Sequence, residues 1–416
     1  MKRTLTLLLS LFAISSLASA QTQPLLQAND LAVICGDSIT QQKIYSVFIE
    51  DYFLMCQPAA GLQTVQLGVG GETAAKFQLR QKNDALPFKP TVATIFYGMN
   101  DGGYVATDAN RQKAYRDALT EIVKTFKANG VRLVVVGSPG VVDTDSFKRN
   151  DAAVYNQTLA GLGDIGKEIA AGNGAVFADV HSVMTDAMAK AKAKYGSKYV
   201  VAGGDGIHPD ANGHLIIAYA FLKALGCDGD IGHITVDLKN NKVEADSAQK
   251  VSIANGEVQV ESTRYPFCFR GDPAKPDSTL GMLEFIPFNQ DLNRYMLTVK
   301  NAGTGNLKIT WGANSKIFPA AELEKGINLA AEFPDNPFSA PFAKVENTIK
   351  EQQAFETASM QKMFGPIGEW SGDFPSQKTT FDQFKQTIYD INSGLRKKST
   401  ESVAPVKHSI KIEAAG

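Results

Sequence analysis

The chain is poor in the residues that hold metals. Four cysteines and five histidines are spread through 416 residues, and no Cys/His group has the spacing of a zinc site. Charge of one sign is missing too: 42 basic against 43 acidic side chains leave a formal net charge of -1, with no basic footprint for nucleic acid. After Leu17 no apolar run is long enough to span a bilayer, so no integral membrane segment is expected in the mature chain. No internal repeat is present, which excludes a solenoid. The run Gly68-Val69-Gly70-Gly71 does not fit Gly-x-Gly-x-x-Gly, so it is not a dinucleotide fingerprint. What the chain does have is a 44% hydrophobic composition, enough for a full core, over a length that suggests two domains.

The N-terminus reads as a targeting segment. Lys2 and Arg3 precede an apolar stretch from Leu5 to Leu17, and Ala18-Ser19-Ala20 is a small-residue cleavage signal. A signal peptide over 1–20 is therefore expected, with Gln21 as the first mature residue. No cysteine follows the cleavage point, so a lipid anchor there is not expected. The expectation is an exported bacterial protein, periplasmic or extracellular. Export permits disulfides. Cys35 and Cys56 fall in a strand and a helix and read as buried thiols. Cys227 and Cys268 flank the start of a second region and are the candidates for a bridge.

Residues 21–229 alternate between strand and helix patterns. Short apolar runs at 31–35, 64–67, 92–97, 131–136 and 175–178 read as strands. Helical spacing follows Ser38 (Ile44, Val47, Phe48, Tyr52, Met55) and recurs over about 110–128, 151–171 and 211–225. Five short strands alternating with helices predict an α/β fold, a parallel sheet covered on both faces. Sites in such sheets form at the carboxyl ends of strands.

Three loops at those strand ends carry chemistry. Gly36-Asp37-Ser38-Ile39 follows the first strand and puts a serine at a strand-to-helix turn. Gly68-Val69-Gly70-Gly71-Glu72-Thr73 follows the second, and Gly98-Met99-Asn100-Asp101 the third. Taken singly, each is ordinary turn and cap chemistry. A serine hydroxyl becomes a nucleophile only with a base, a group to orient that base and donors for the oxyanion. His208, in Gly204-Asp205-Gly206-Ile207-His208-Pro209, supplies the candidate base. Asp205, three residues earlier in a glycine-containing turn, can fold back to hold its tautomer. The amides of Ser38 and Gly71 and the Asn100 side chain are candidate oxyanion donors. Asp101 reads as a turn or cap residue and Tyr104 as a candidate pocket wall, as does the loop 138–142.

The ordered set Ser38, Gly71, Asn100 and Asp205/His208 resembles the SGNH (GDSL-type) hydrolase family over residues 30 to 226. The resemblance implies a three-layer sandwich with a five-stranded, flavodoxin-like parallel sheet. It also implies a catalytic set of Ser38, His208 and Asp205 with an oxyanion hole of Ser38, Gly71 and Asn100, and no metal or organic cofactor. One departure is Gln66, where the family commonly has asparagine.

After residue 229 the pattern changes. Alternating runs such as Ile234-Thr235-Val236-Asp237-Leu238 and Leu307-Lys308-Ile309-Thr310-Trp311 predict an antiparallel β-domain over 230–328. Its aromatics, Tyr265, Phe267, Phe269 and Trp311, suit either a sugar platform or, with more weight, a core. Helical spacing over 342–363 and 381–395 predicts a helical segment spanning 329–396, and 397–416 reads as a polar, mobile tail. Together these features lead to the expectation of an exported serine ester hydrolase. A carbohydrate O-acetylesterase acting on acetylated polysaccharide is favoured, since export and an added β-domain lean that way. The alternatives are a lysophospholipase or general acyl-ester hydrolase and, from a different class, a non-catalytic carbohydrate-binding protein on a hydrolase scaffold.

Overall fold

The computed structural model describes residues 25–254, 256–272 and 275–415. The expected signal peptide over 1–20 and Gln21 lie outside the described residues. Five strands form the first sheet: β1 (Leu31–Gly36), β2 (Gln63–Gln66), β3 (Val92–Phe96), β4 (Leu133–Gly137) and β5 (Val176–Ala178). All pair in parallel in the order β2-β1-β3-β4-β5, the flavodoxin-like arrangement. Strand residues alternate between two cores, as the pleat requires. Val33, Cys35, Val134 and Val136 face one core with Phe77, Leu119, Phe126 and Leu162. Ala32, Ile34 and Val135 face the other with Tyr45, Met184 and Phe221.

The helices divide accordingly. α1 (Ser38–Gln41) and α2 (Tyr45–Asp51) follow β1, and α3 (Ala74–Asp84), α4 (Ala109–Ala128) and α5 (Ala152–Gly172) pack in sequence on one face. α6 (Val180–Tyr195) and α7 (Ala211–Ala224) join α2 on the other. Side-chain caps start α3, α4, α5 and α6 at Thr73, Asp108, Asp151 and Asp179. α6, like α3, has no counterpart among the helices expected from sequence. Its buried face is Val180, Met184, Ala187, Met188 and Ala191, mostly small or flexible residues that give a weak apolar stripe.

The region after residue 229 departs from a single antiparallel unit over 230–328. One sheet holds β6 (Asp230–Asp237), β7 (Lys242–Ala245), β10 (Arg294–Lys300) and β13 (Ile327–Asn328), ordered β13-β10-β6-β7. Within it β10 and β6 run parallel, because the chain between them crosses through β8 (Gln249–Ala254), β9 (Glu257–Ser262), α8 (Thr279–Met282) and α9 (Phe288–Leu292). The second sheet is β12-β11-β14-β9-β8, with β11 (Asn306–Trp311), β12 (Asn314–Pro319) and β14 (Val406–Ala414). The expected mobile tail over 397–416 is thus helical in its first residues, to Glu401, and then forms a central strand, paired antiparallel to β9 and β11. Its alternation of buried Val406, His408 and Ile410 with Lys407 and Ser409 is the reason. The lysines made the segment read as polar.

Trp311, Tyr265 and Phe267 are buried, so these aromatics serve as core. All four cysteines are buried free thiols, and Cys227 and Cys268 form no bridge; the Cys268 thiol turns to its own chain and donates to Pro266 O.

Short helices α10 (Ala320–Lys325) and α11 (Leu329–Glu332) lead to α12 (Ser339–Ser359), a π-helical turn, α13 (Gly365–Asp373) and α14 (Lys378–Glu401). α12 packs on α2 and β2, and α14 packs on α12 and β2, closing the outer edge of the parallel sheet. This seam is polar although buried. Glu356 accepts the N–H of Gln66 at 2.8 Å and the Asn392 amide at 2.7 Å. Gln352 and Gln353 both donate to Glu50, at 2.9 and 2.8 Å.

Candidate active site

Ser38 opens α1 where β1 ends. The buried Asp37 beside it accepts the N–H of Ile39 at 3.0 Å, capping that turn. Burial pushes the Asp37 carboxyl up to about 7, with the charges of Asp101 and Glu72 adding to the effect. Ser38 Oγ lies 2.7 Å from His208 Nε2, and His208 Nδ1 lies 2.6 Å from Asp205 Oδ2. A carboxylate only accepts, so Nδ1 carries the proton and Nε2 is free to accept from the Ser38 hydroxyl.

The His208 loop is shaped locally. Asp205 Oδ1 accepts the N–H groups of Ile207 and His208, both at 2.9 Å, which folds the acid back under the ring. Gly206, at φ 76°, lets the loop pass so close to Phe147 that a Cβ there would sit 2.3 Å from the Phe147 nitrogen. Burial raises the Asp205 carboxyl, but its hydrogen bonds from the His208 ring and from both backbone N–H groups outweigh this. The group is held below the ordinary carboxylate range. Behind the pair, His214 is fully buried and its pKa is driven down to about 3, by burial first and then by the His208 charge. It is neutral, accepts from the Tyr45 N–H at 3.2 Å and donates to Gln42 at 3.1 Å. Gln42 in turn reaches Pro209 O, tying the serine segment to the histidine loop.

The loop after β2 lies against α1. Gln66, in the place where the family has asparagine, donates to Thr40 O and accepts from the Gly68 N–H, both at 2.8 Å. Its longer side chain joins the serine turn to the glycine loop. Gly71 has φ 70°, and nothing lies within 4 Å of the position a Cβ would take, so backbone conformation rather than crowding calls for glycine there. Among the described residues, neither the Ser38 nor the Gly71 N–H has an internal acceptor. Asn100 Nδ2 donates to Glu72 O at 3.0 Å, which leaves its second amide hydrogen for a ligand.

Two carboxyls hold these loops together. Asp101 accepts from the Ala74 N–H at 2.9 Å and from the Gly98 N–H at 3.0 Å. It is a clamp between the two loops rather than a simple turn residue, and burial pushes it up to about 6. Glu72 takes a two-pronged bond from Arg80 (2.6 and 2.7 Å) and one from the Tyr97 hydroxyl (2.7 Å). Arg80 also donates to Leu67 O at 2.7 Å. Tyr104 donates to Asn100 Oδ1 at 2.9 Å, and the Arg149 guanidinium lies 4.2 Å over its ring.

The structure therefore brings Ser38, His208 and Asp205 into one hydrogen-bonded line and puts Asn100 beside the Gly71–Glu72 turn. The loop 138–142 is buried, with Pro139 packed on Gly98. Sequence reasoning missed Glu72, Arg80, Gln42 and His214, whose partners lie on other elements. A cavity of about 420 Å³ lies elsewhere, lined by Val47, Phe48, Asp51, Phe267 and Phe342. Among the described residues, no helix is long and apolar enough to cross a membrane.

A parallel sheet of this order, with a Ser–His–Asp line at the carboxyl ends of its strands, defines a serine esterase of the SGNH type, a carboxylic ester hydrolase. Residues 34–216 match the model of the GDSL-like Lipase/Acylhydrolase family. An acetylxylan esterase of Geobacillus stearothermophilus is 23% identical over 186 residues, 44% of this chain and 80% of that protein. A solved structure of a gut microbial diltiazem-metabolizing enzyme shares the fold of nearly the whole molecule. It has a TM-score of 0.73 at 22% identity and covers 94% of this chain and 98% of its own.

Proposed function

We propose that the protein is an exported carbohydrate O-acetylesterase working through an acyl-enzyme on Ser38. Ser38 Oγ attacks the ester carbonyl while His208 Nε2 takes its proton and then gives it to the leaving alkoxide. Asp205 holds the Nδ1–H tautomer and balances the imidazolium. The N–H groups of Ser38 and Gly71 and the free Asn100 amide hydrogen receive the oxyanion. Water, deprotonated by His208, then attacks the acyl-enzyme and releases acetate and Ser38. The carrying observation is the line Ser38–His208–Asp205 at 2.7 and 2.6 Å. The acetylated-carbohydrate substrate is supported by the acetylxylan esterase relative.

The test is acetate release from acetylated oligosaccharides by wild type and Ser38→Ala, with lysophospholipid and long acyl esters in parallel. Ser38→Ala should lower turnover by about 10⁶-fold. Full activity in that variant would overturn the mechanism. Preferential release of long acyl chains would move the substrate to lipids.

A further inference from the structure

We propose that Arg149 and Arg111 read a carboxylate on the substrate, so that the acyl group is removed from an acidic, uronate-bearing saccharide. The inference rests on the carbohydrate-ester reading and names its substrate class. It begins at Tyr104, whose hydroxyl is bonded to Asn100. Phe147 and Tyr155 pack about it at centroid distances of 6.3 and 5.2 Å. The Arg149 guanidinium sits over the ring at 4.2 Å. One phenol ring therefore separates that guanidinium from the amide that faces the oxyanion.

A second guanidinium flanks the same turn. Gly103, at φ 67°, has Arg111 where a side chain would be: a Cβ there would lie 2.4 Å from Arg111 Nη1. Both arginines are exposed, and among the described residues neither is in an ion pair. Other arginines are committed: Arg80 to Glu72, Arg116 to Glu168, Arg132 to Asp30 and Arg270 to Glu346. The carboxylates nearby are bonded elsewhere, Asp151 among them, as the cap of α5. Asp205 is bonded to His208, Asp37 caps α1, and Asp108 caps α4 through the Arg111 N–H. Two guanidiniums without a carboxylate partner thus flank the loop next to Asn100 and keep N–H groups for a ligand. A guanidinium seated over a ring keeps N–H groups for a planar acceptor, which matches the two oxygens of a carboxylate. A sugar carboxylate near the ester then adds binding energy without touching Ser38.

The experiment compares kcat/KM on O-acetylated oligogalacturonate and O-acetylated xylo-oligosaccharide for wild type, Arg149→Ala, Arg149→Lys and Arg111→Ala. Lysophospholipid serves as a third substrate, and unacetylated oligogalacturonate as an inhibitor of p-nitrophenyl acetate turnover. Wild type should prefer the acidic substrate, and the unacetylated oligomer should inhibit competitively. Arg149→Ala should lower kcat/KM on the acidic substrate by about 10- to 100-fold, mainly through KM, and on the neutral one by at most about threefold. Arg149→Lys should recover part of the loss. Equal losses on both substrates, no acidic preference, or an Arg149-dependent preference for lysophospholipid would each overturn the proposal. Ser38-dependent turnover of p-nitrophenyl acetate separates the two levels: if it persists, only the carboxylate reading falls; if it does not depend on Ser38, the esterase mechanism falls.

Discussion

Tyr104 donates its phenol proton to Asn100 Oδ1 at 2.9 Å, while Asn100 Nδ2 donates to Glu72 O at 3.0 Å. Held at both ends, the Asn100 amide cannot flip, and its remaining hydrogen has a fixed direction. Tyr104 adopts φ 61°, a left-handed conformation that costs a side-chain-bearing residue on the order of 1 kcal/mol and that the packed ring sustains. Tyr104→Phe should therefore lower kcat by roughly tenfold with KM nearly unchanged, a part of the 10²–10³ expected for losing the Asn100 donor itself. Steady-state kinetics on p-nitrophenyl acetate, with thermal unfolding alongside, checks this. An unchanged kcat would show that Tyr104 does not position the amide.

Glu72 and Arg80 form a two-pronged pair with side chains only 5% and 18% exposed. Removing one partner strands a buried charge. Arg80→Met should destabilise the protein by about 3–5 kcal/mol, more than typical surface changes, since Leu67 O also loses its donor. Urea unfolding of the variant measures it; a loss below about 1 kcal/mol would mean the seam rearranges.

Two sets of buried groups make stability depend on pH in opposite directions. The carboxyls of Glu50 and Glu356 are raised, by burial above all and by their mutual charge in the case of Glu356. Carboxyls raised in the folded state bind protons that the unfolded chain has lost. Their contribution is complete below the ordinary 4.5 and is lost as pH rises through neutrality. Glu356→Gln should accordingly flatten the fall in Tm between pH 5 and 8. His214 and His408 are lowered by burial to about 3 and 4. Their contribution is present above the ordinary 6.5 and is lost as pH falls toward those values. Calorimetry across pH 3–9 tests both arms. A wild-type Tm still rising from pH 5 to 8, and rising equally in Glu356→Gln, would show that the carboxyl pair does not control the alkaline arm.

Ending the chain after Val403 removes β14, which bridges β9 and β11 and carries His408, the acceptor of the Trp311 indole N–H at 3.1 Å. Two inner strands would become open edges. The shortened protein should aggregate and lose cooperative unfolding. Soluble protein with a wild-type Tm would show that the terminus is dispensable.

Much of the site was legible because its signals are local. Asp205 and His208 sit three residues apart in one turn, and Ser38, Gly71 and Asn100 each close a short apolar strand. A parallel sheet with helical crossovers puts all such strand ends on one rim, so strand order was not needed to bring them together. The sequence by itself thus determined the α/β alternation, the carboxyl-end site and its candidate residues. Tertiary structure alone decided what depends on distant pairing. It placed β14 between strands about 100 to 150 residues earlier in the chain, ran β6 and β10 parallel, and brought Arg149 over Tyr104 and Glu356 onto the N–H of Gln66. Period-two alternation shows that a segment fits a half-buried strand, and hydrogen-bonding groups show that a residue can pair. Neither carries the identity of the partner, which only chain closure around a shared core supplies.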